Sequence, residues 1–159
     1  MSLVNDISFF MKWDMVRLLF TIMASFCDIV KNVFLPPVWK SVEGDVILIT
    51  GGGHGLGKEL AVELAKLGAV IVIWDIHDTD TGDIIRENGG ICFEYKCDVS
   101  DSKMVYACAG RVRKDVGDVR VLINNAGIVN GLDFLDSPDI GLRKTFEVNV
   151  FAHFWVILF

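Results

Sequence analysis

The sequence predicts a doubly wound α/β fold on a parallel sheet, and three observations carry that expectation. Apolar runs rich in Val and Ile recur at 46–50, 69–74, 91–95 and 119–123, bounded by Gly or Asp. Helix-length stretches with apolar residues three and four apart separate them. A glycine-rich turn, "TGGGHGLG", joins the first run to the first of those stretches. Strands that are almost continuously apolar need cover on both faces, and a helix-length crossover between successive strands lets them run parallel.

Ahead of the first strand lies "FFMKWDMVRLLFTIMASFCDIVKNVFLPP". Its longest uncharged run, 18–27, is too short to span a bilayer, which takes about 20 predominantly apolar residues. Asp6 and the lack of a basic start fit a cleaved signal poorly. On a helix, Asp14, Thr21, Asp28, Lys31 and Asn32 all fall within about 60° of Arg17. Leu18, Leu19, Ile22, Met23, Phe26, Ile29, Val30 and Val33 occupy the opposite side. The pairs Asp14/Arg17 and Asp28/Lys31 sit at i,i+3, where opposite charges meet. The pattern predicts an amphipathic helix lying in a membrane interface, with packing against its own domain as the alternative. Spanning would bury Arg17 or Asp28 at about 2.5–3.5 kcal/mol each, so monotopic attachment is favoured. Pro36-Pro37 is expected to detach this segment, giving a membrane-associating region over 1–40 and an α/β domain over 41–159.

Within the second region, the first helix is expected to bury Leu56, Leu60, Leu64 and Leu67. The helix after the third strand is expected to bury Val105, Cys108, Val112 and Val116. Cys92 and Cys97, five apart along a strand, should point to opposite faces and cannot pair with each other. Cys27 and Cys108 complete the set, without a CxxC pair or a Cys/His cluster at ligand spacing. Reduced core thiols in a cytosolic environment are expected, and no metal site.

Composition narrows the function classes. A net charge of −6 without a Lys/Arg cluster excludes a nucleic-acid footprint, which needs a basic stripe to replace phosphate counterions. A hydrophobic content of 52% with a mean hydropathy of +0.46 points instead to lipid or a protein partner.

The glycine-rich turn has the chemistry of a phosphate loop. Gly51, Gly53, Gly55 and Gly57 permit a tight turn and close backbone approach, and the helix that follows offers free N–H groups to a pyrophosphate. The second strand ends in Asp75, about 20 residues beyond Gly55, where a carboxylate accepts from both ribose hydroxyls. It would also repel a 2′-phosphate, so NAD is expected over NADP. Gly52, His54 and Leu56 belong to the same cofactor loop, and His54 is given no acid/base role.

Thr50-Gly51 through Gly55-Leu56-Gly57 resembles the TGxxxGxG loop of the short-chain dehydrogenases/reductases, a Rossmann-type family. Three further motifs agree in order: "CDVS" from Cys97, "NNAG" from Asn124, and Asn149 in "FEVNV". The stretches "GDVRVLINNAGIVNGLDFLDSPD" and "KTFEVNVFAHFW" are similar to the membrane-associated branch holding 17-beta-hydroxysteroid dehydrogenases and epidermal retinol dehydrogenases. The resemblance implies that Asp98 bonds the adenine amino group and Val99 borders the ring. Asn125, Ala126 and Gly127 would line the cofactor ribose while Asn124 steadies the sheet. Asn149 would be one of an Asn/Ser/Tyr/Lys catalytic set, holding a helix kink and a relay water. It further implies a hydrophobic N-terminal anchor at the endoplasmic reticulum or lipid droplets with the catalytic domain facing the cytosol. Full-length relatives commonly form homodimers through the helix that begins near Asn149.

The family's chemistry is hydride transfer between a carbinol carbon and nicotinamide, with a Tyr as base and a Lys four residues on, so that both share a helical face. Tyr95 is followed four later by Val99, and Tyr106 by Gly110, so no YxxxK pair exists here. In the strand order 3-2-1-4-5-6 the fourth strand is central, so 119–123 is expected as an exposed apolar edge. The expectation is therefore the N-terminal half of the fold, cut before its Ser, Tyr and Lys, and inactive alone.

Overall fold

The computed structural model describes residues 3–35, 40–129 and 138–158, with backbone only at 3–13 and 32–34. Pro36-Pro37, the side chains of Asn32 and Val33, and the family-like stretch 130–137 lie outside the described residues. The chain divides into two compact units, Met1–Lys40 and Ser41–Phe159.

Among the described residues, the first unit holds one helix, α1 (Leu3–Phe34). Thr21 turns its hydroxyl back to the Arg17 carbonyl at 2.9 Å, so this polar side chain satisfies itself along the helix. Leu18, Leu19, Ile22, Met23, Phe26 and Ile29 are exposed. No helix among the described residues is long and apolar enough to cross a membrane.

The second unit runs β1 (Val46–Thr50), α2 (Gly55–Lys66), β2 (Val70–Asp75), α3 (Thr81–Glu87), β3 (Ile91–Lys96), α4 (Ser102–Asp115) and β4 (Val121–Asn124). Then follow α5 (Asp139–Phe146), a π-helical turn (Glu147–Phe151) and α6 (Ala152–Ile157). The four strands form one parallel sheet in the order β3-β2-β1-β4. Between them, α2 and α3 cover one face and α4 and α6 the other, the doubly wound arrangement predicted by the apolar runs.

Strand alternation shows how the two layers arise. Ile47, Ile49, Ile71 and Ile73 point into the core with Ala61 and Ile85. Leu48 and Val72 point the other way, against Val105, Cys108 and Val112 of α4 and Val148, Ala152 and Val156 near the C-terminus. Cys92 and Cys97 fall on opposite sides, as their spacing requires. The α4 face matches the expectation, and its start is closed by Asp101, whose carboxylate accepts from Lys103 N at 2.9 Å and Met104 N at 3.4 Å.

The α2 face differs from the leucine stripe. Leu56 and Leu67 are 70% and 63% exposed, while Gly57 and Ala61 are buried. On the helix Leu56 and Leu67 sit about 100° and 80° from Gly57. Small residues face the sheet because the glycine loop pulls α2 close to it, and only Leu60 and Leu64 remain on the flank of the contact. The fourth strand also differs from the expected exposed edge: β4 lies at the edge of the described sheet, but all four of its residues are half-buried. Val121 and Ile123 pack on one core layer and Leu122 on the other.

Candidate functional site

All four strands are parallel, so their C-terminal ends open on the same side. The chain leaves β1 toward β2 and β3 on one side, then crosses back from β3 to set β4 on the other side of β1, and this reversal of strand order makes a crevice. A cavity of about 780 Å³ occupies it, a size suited to a small-molecule ligand. Gly51, His54, Asp75, Asp98, Val99, Asn125, Ala126 and Gly127 line it.

The glycine loop fits where no side chain could. Gly51 has φ +63°, and a Cβ there would meet Ala126 Cα at 2.9 Å. A Cβ on Gly57 would lie 2.3 Å from the Gly51 carbonyl oxygen and 2.5 Å from Asn125 Nδ2. His54 caps α2 in extended conformation and makes no side-chain cap bond. The first turn of α2, holding Gly55, Leu56 and Gly57, therefore presents N–H groups that no carbonyl within the helix can accept.

Asp75 closes β2 and is held by main chain. Gly53 N–H donates to its Oδ2 at 3.0 Å and His77 N–H to its Oδ1 at 3.1 Å. Its side chain is 11% exposed, and the remaining lone pairs stay available to hydroxyl donors in the cavity.

The opposite wall is built by contacts distant in sequence. Thr50 Oγ1 accepts from Asn125 N and Ala126 N, both at 3.1 Å. The Asn125 amide donates to the carbonyls of Thr50 at 3.0 Å and Gly51 at 2.9 Å, so its nitrogen ties the strand end to the glycine loop. Asn124 pairs in register with Thr50 and faces away from this cavity, into a smaller groove beside Leu122 and Val156. Asn149 exchanges two bonds with Ile128, accepting from its N–H and donating to its carbonyl, each at 2.9 Å. It does so from the π-helical turn, whose extra residue per turn breaks the regular helical register.

Asp98 sits between the two walls. Its Oδ1 accepts from Ser100 N at 2.9 Å and Ser100 Oγ at 2.6 Å, and Lys144 Nζ lies 3.5 Å from Oδ2 while also contacting Ser100 Oγ. Burial pushes this carboxyl upward, but the Ser100 bonds and the Lys144 charge outweigh it and hold Asp98 below the usual carboxylate range.

The site thus brings together eight of the residues expected from sequence. Gly52, Gly53, Gly55, Leu56 and Gly57 shape the loop behind the lining, and Asn124 lies outside it. His77 and Lys144 also line the cavity without having been foreseen. Lys144 reaches Asp98 across 46 residues, which no local spacing could signal.

Neither tyrosine lines the cavity. Tyr95 is on β3, with its hydroxyl 3.3 Å from Asp115 and Arg111 stacked 4.8 Å from its ring, while Tyr106 is on α4 and exposed. Burial and the Asp115 carboxylate push the Tyr95 phenol upward, opposite to what a general base needs. All four cysteines are free; Cys92, Cys97 and Cys108 are buried, and Cys27 is exposed. Burial pushes the Cys92 thiol up to about 12 and raises Cys97 as well, which fits inert core thiols.

A Gly-rich turn on a helix N-terminus, a strand-end carboxylate and a crevice at the switch point fit a dinucleotide: this is a dinucleotide-binding α/β domain. A sequence model of the short chain dehydrogenase family matches residues 45–158. The chain belongs to that oxidoreductase family. It is 49% identical over 121 residues to epidermal retinol dehydrogenase 2 of Mus musculus, covering 74% of this chain and 39% of that protein. It is 38% identical over 146 residues to 17-beta-hydroxysteroid dehydrogenase 13 of Homo sapiens, covering 90% and 49%. The chain therefore spans less than half the length of these curated relatives.

Solved structures agree. NAD+-bound xylitol dehydrogenase superposes with a TM-score of 0.71 at 29% identity, covering 75% of this chain and 47% of that one. Hydroxysteroid dehydrogenase from Escherichia coli gives 0.69 at 34%, covering 74% and 51%. The family fold and the NAD-bound neighbour support a nicotinamide dinucleotide as the cofactor.

Proposed function

We propose that this chain is the cofactor half of a membrane-associated, NAD-dependent oxidoreductase acting on the CH–OH group of a lipid alcohol, or the corresponding ketone, of the retinoid or steroid class. The observation that carries the reading is Asp75, fixed by two main-chain N–H groups at the mouth of the glycine loop. A carboxylate held there accepts from paired ribose hydroxyls and repels a 2′-phosphate, which favours NAD over NADP. The nicotinamide supplies the hydride chemistry when bound. In this reading the 51–57 loop and the start of α2 take the pyrophosphate. Asp98 and Val99 receive the adenine, Asn125 to Gly127 border the ribose, and Asn149 positions the segment around Ile128. The substrate class follows the names of the relatives, retinol and 17-beta-hydroxysteroid dehydrogenases.

Residues 1–159 contain no Tyr-x-x-x-Lys pair, and Tyr95 is tied to Asp115. This supports a second reading, a non-catalytic NAD-binding protein, for the 159 residues taken alone. In both readings α1 lies in the surface of the endoplasmic reticulum or a lipid droplet, its charges on one stripe and its apolar residues toward lipid. The exposed Phe154, Ile157 and Leu158 on and just after α6 suit a homodimer face in the longer relatives.

Titrating NAD while following the fluorescence of the four tryptophans, of which Trp74 lines the cavity, tests the cofactor site. Saturable quenching is expected, weakened about tenfold or more by Asp75→Ala because a charge-assisted bond contributes about 1.5–3 kcal/mol. An unchanged affinity in that variant would remove the ribose assignment. The purified chain should not oxidise retinol or steroid alcohols with NAD, and turnover belonging to it would contradict the inactive reading. A fluorescent fusion of residues 1–40 should collect on membranes or droplets; a cytosolic distribution would refute the interfacial helix.

A further inference from the structure

Sequence spacing gave no hint of a metal site, yet the fold gathers His54, Asp75 and His77 at one corner of the cavity. His54 Nδ1 lies 4.0 Å from Asp75 Oδ2, and His77 Nδ1 lies 3.6 Å from Oδ1. The three ligand atoms all fall within 4.8 Å of one another. The two imidazole rings stand perpendicular with centroids 6.0 Å apart. Among the described residues, Asp75 has no ion-pair partner other than these two imidazoles.

We propose that His54, Asp75 and His77 form a binding site for a divalent transition-metal ion, zinc in the first instance. Two imidazoles and a carboxylate are a donor set that suits zinc and not the all-oxygen shell preferred by magnesium or calcium. Tetrahedral zinc with ligand bonds of about 2.0–2.2 Å needs donors somewhat closer than they stand here. The closure falls to the histidines, whose side chains are 67% and 69% exposed. Asp75 already has the orientation a ligating carboxylate needs, because the Gly53 and His77 N–H groups hold one oxygen each. Water completes the shell from the open side.

The consequence rests on the cofactor reading above. The lone pairs of Asp75 that a ribose would use are the ones a metal would take, so zinc and the dinucleotide exclude each other. The chain then has a metal-inhibited cofactor site, controlled by two residues that flank the ribose-reading acid.

Isothermal titration of zinc ion alone into the metal-free 159-residue chain tests the site. One zinc per chain is expected, with affinity reduced about tenfold or more by either His54→Ala or His77→Ala, since even supporting partners of metal ligands contribute 10- to 100-fold. His153→Ala, which removes the third imidazole of the chain, and Cys27→Ser should leave the affinity unchanged. In unsubstituted protein, cobalt(II) should broaden the imidazole resonances of His54 and His77 and spare His153, a readout independent of any variant's folding. No binding, binding that survives in the His54→Ala/His77→Ala double variant, or broadening confined to His153 would overturn the site. Saturating zinc should lower NAD affinity in the parent chain and not in the double variant; an NAD affinity indifferent to zinc would overturn the exclusion. Failure of NAD to bind at all would instead count against the cofactor reading, while the zinc isotherm still decides the site.

Discussion

The two walls of the cavity are built differently. The wall around Asp75 comes from a short span of chain: the loop and the strand end are 22 residues apart, joined by the bond from Gly53 N to Asp75. The wall around Asn125 depends on contacts 75 and 76 residues apart, where Thr50 receives the main chain just after β4. A local wall can be read from spacing, and in the proposed function it sets what the site recognises. A long-range wall is set by topology and decides whether the site exists.

The largest effect should come at the junction of the two walls. Gly57→Ala gains about 1 kcal/mol of helix propensity, yet its Cβ would sit 2.3 Å from the Gly51 oxygen, a backbone atom that cannot move aside cheaply. Overpacking of this kind costs about 1–3 kcal/mol, so the variant should unfold at lower denaturant and bind NAD more weakly. Equal or greater stability in urea would show that α2 does not lie so close to the loop.

Asn125→Ala isolates the long-range wall. It removes the two amide bonds to Thr50 and Gly51 and should lower stability by about 1–2 kcal/mol. It should reduce NAD affinity without altering discrimination between NAD and NADP. A changed discrimination would mean that the two walls do not separate recognition from assembly.

The smallest effect concerns pH. Asp98 is held below its ordinary 3.8, so its contribution to stability is complete above that value and is lost as pH falls through the lower folded value. Asp98→Asn should flatten the acid side of the melting-temperature profile and leave its shape at neutral pH unaltered. An unchanged acid limb would show that Ser100 and Lys144 do not hold the charged form.

Much of this was legible in the sequence. The apolar run 46–50 coincides with β1 residue for residue, the other three runs begin and end within two residues of their strands, and the glycine loop and Asp75 follow from their order along the chain. The leucine stripe of α2 misled because hydrophobicity marked Leu56 and Leu67, whereas the close approach of loop and sheet selected Gly57 and Ala61. His77 was missed because it follows Asp75 in a bend that turns its ring back over the carboxylate, and Lys144 because its partners are 44 and 46 residues away. The π-helical turn at Asn149 is backbone geometry, and only the family resemblance pointed to a kink there.

The central claim is that Asp75 makes this cavity a site for NAD and not NADP. Calorimetric affinities of the two nucleotides for the same purified chain test it most directly. The account predicts tighter NAD binding by about tenfold or more, with the preference lost in Asp75→Ala as the repulsion of a 2′-phosphate disappears. Equal affinities in the parent chain, or a preference for NADP, would contradict it.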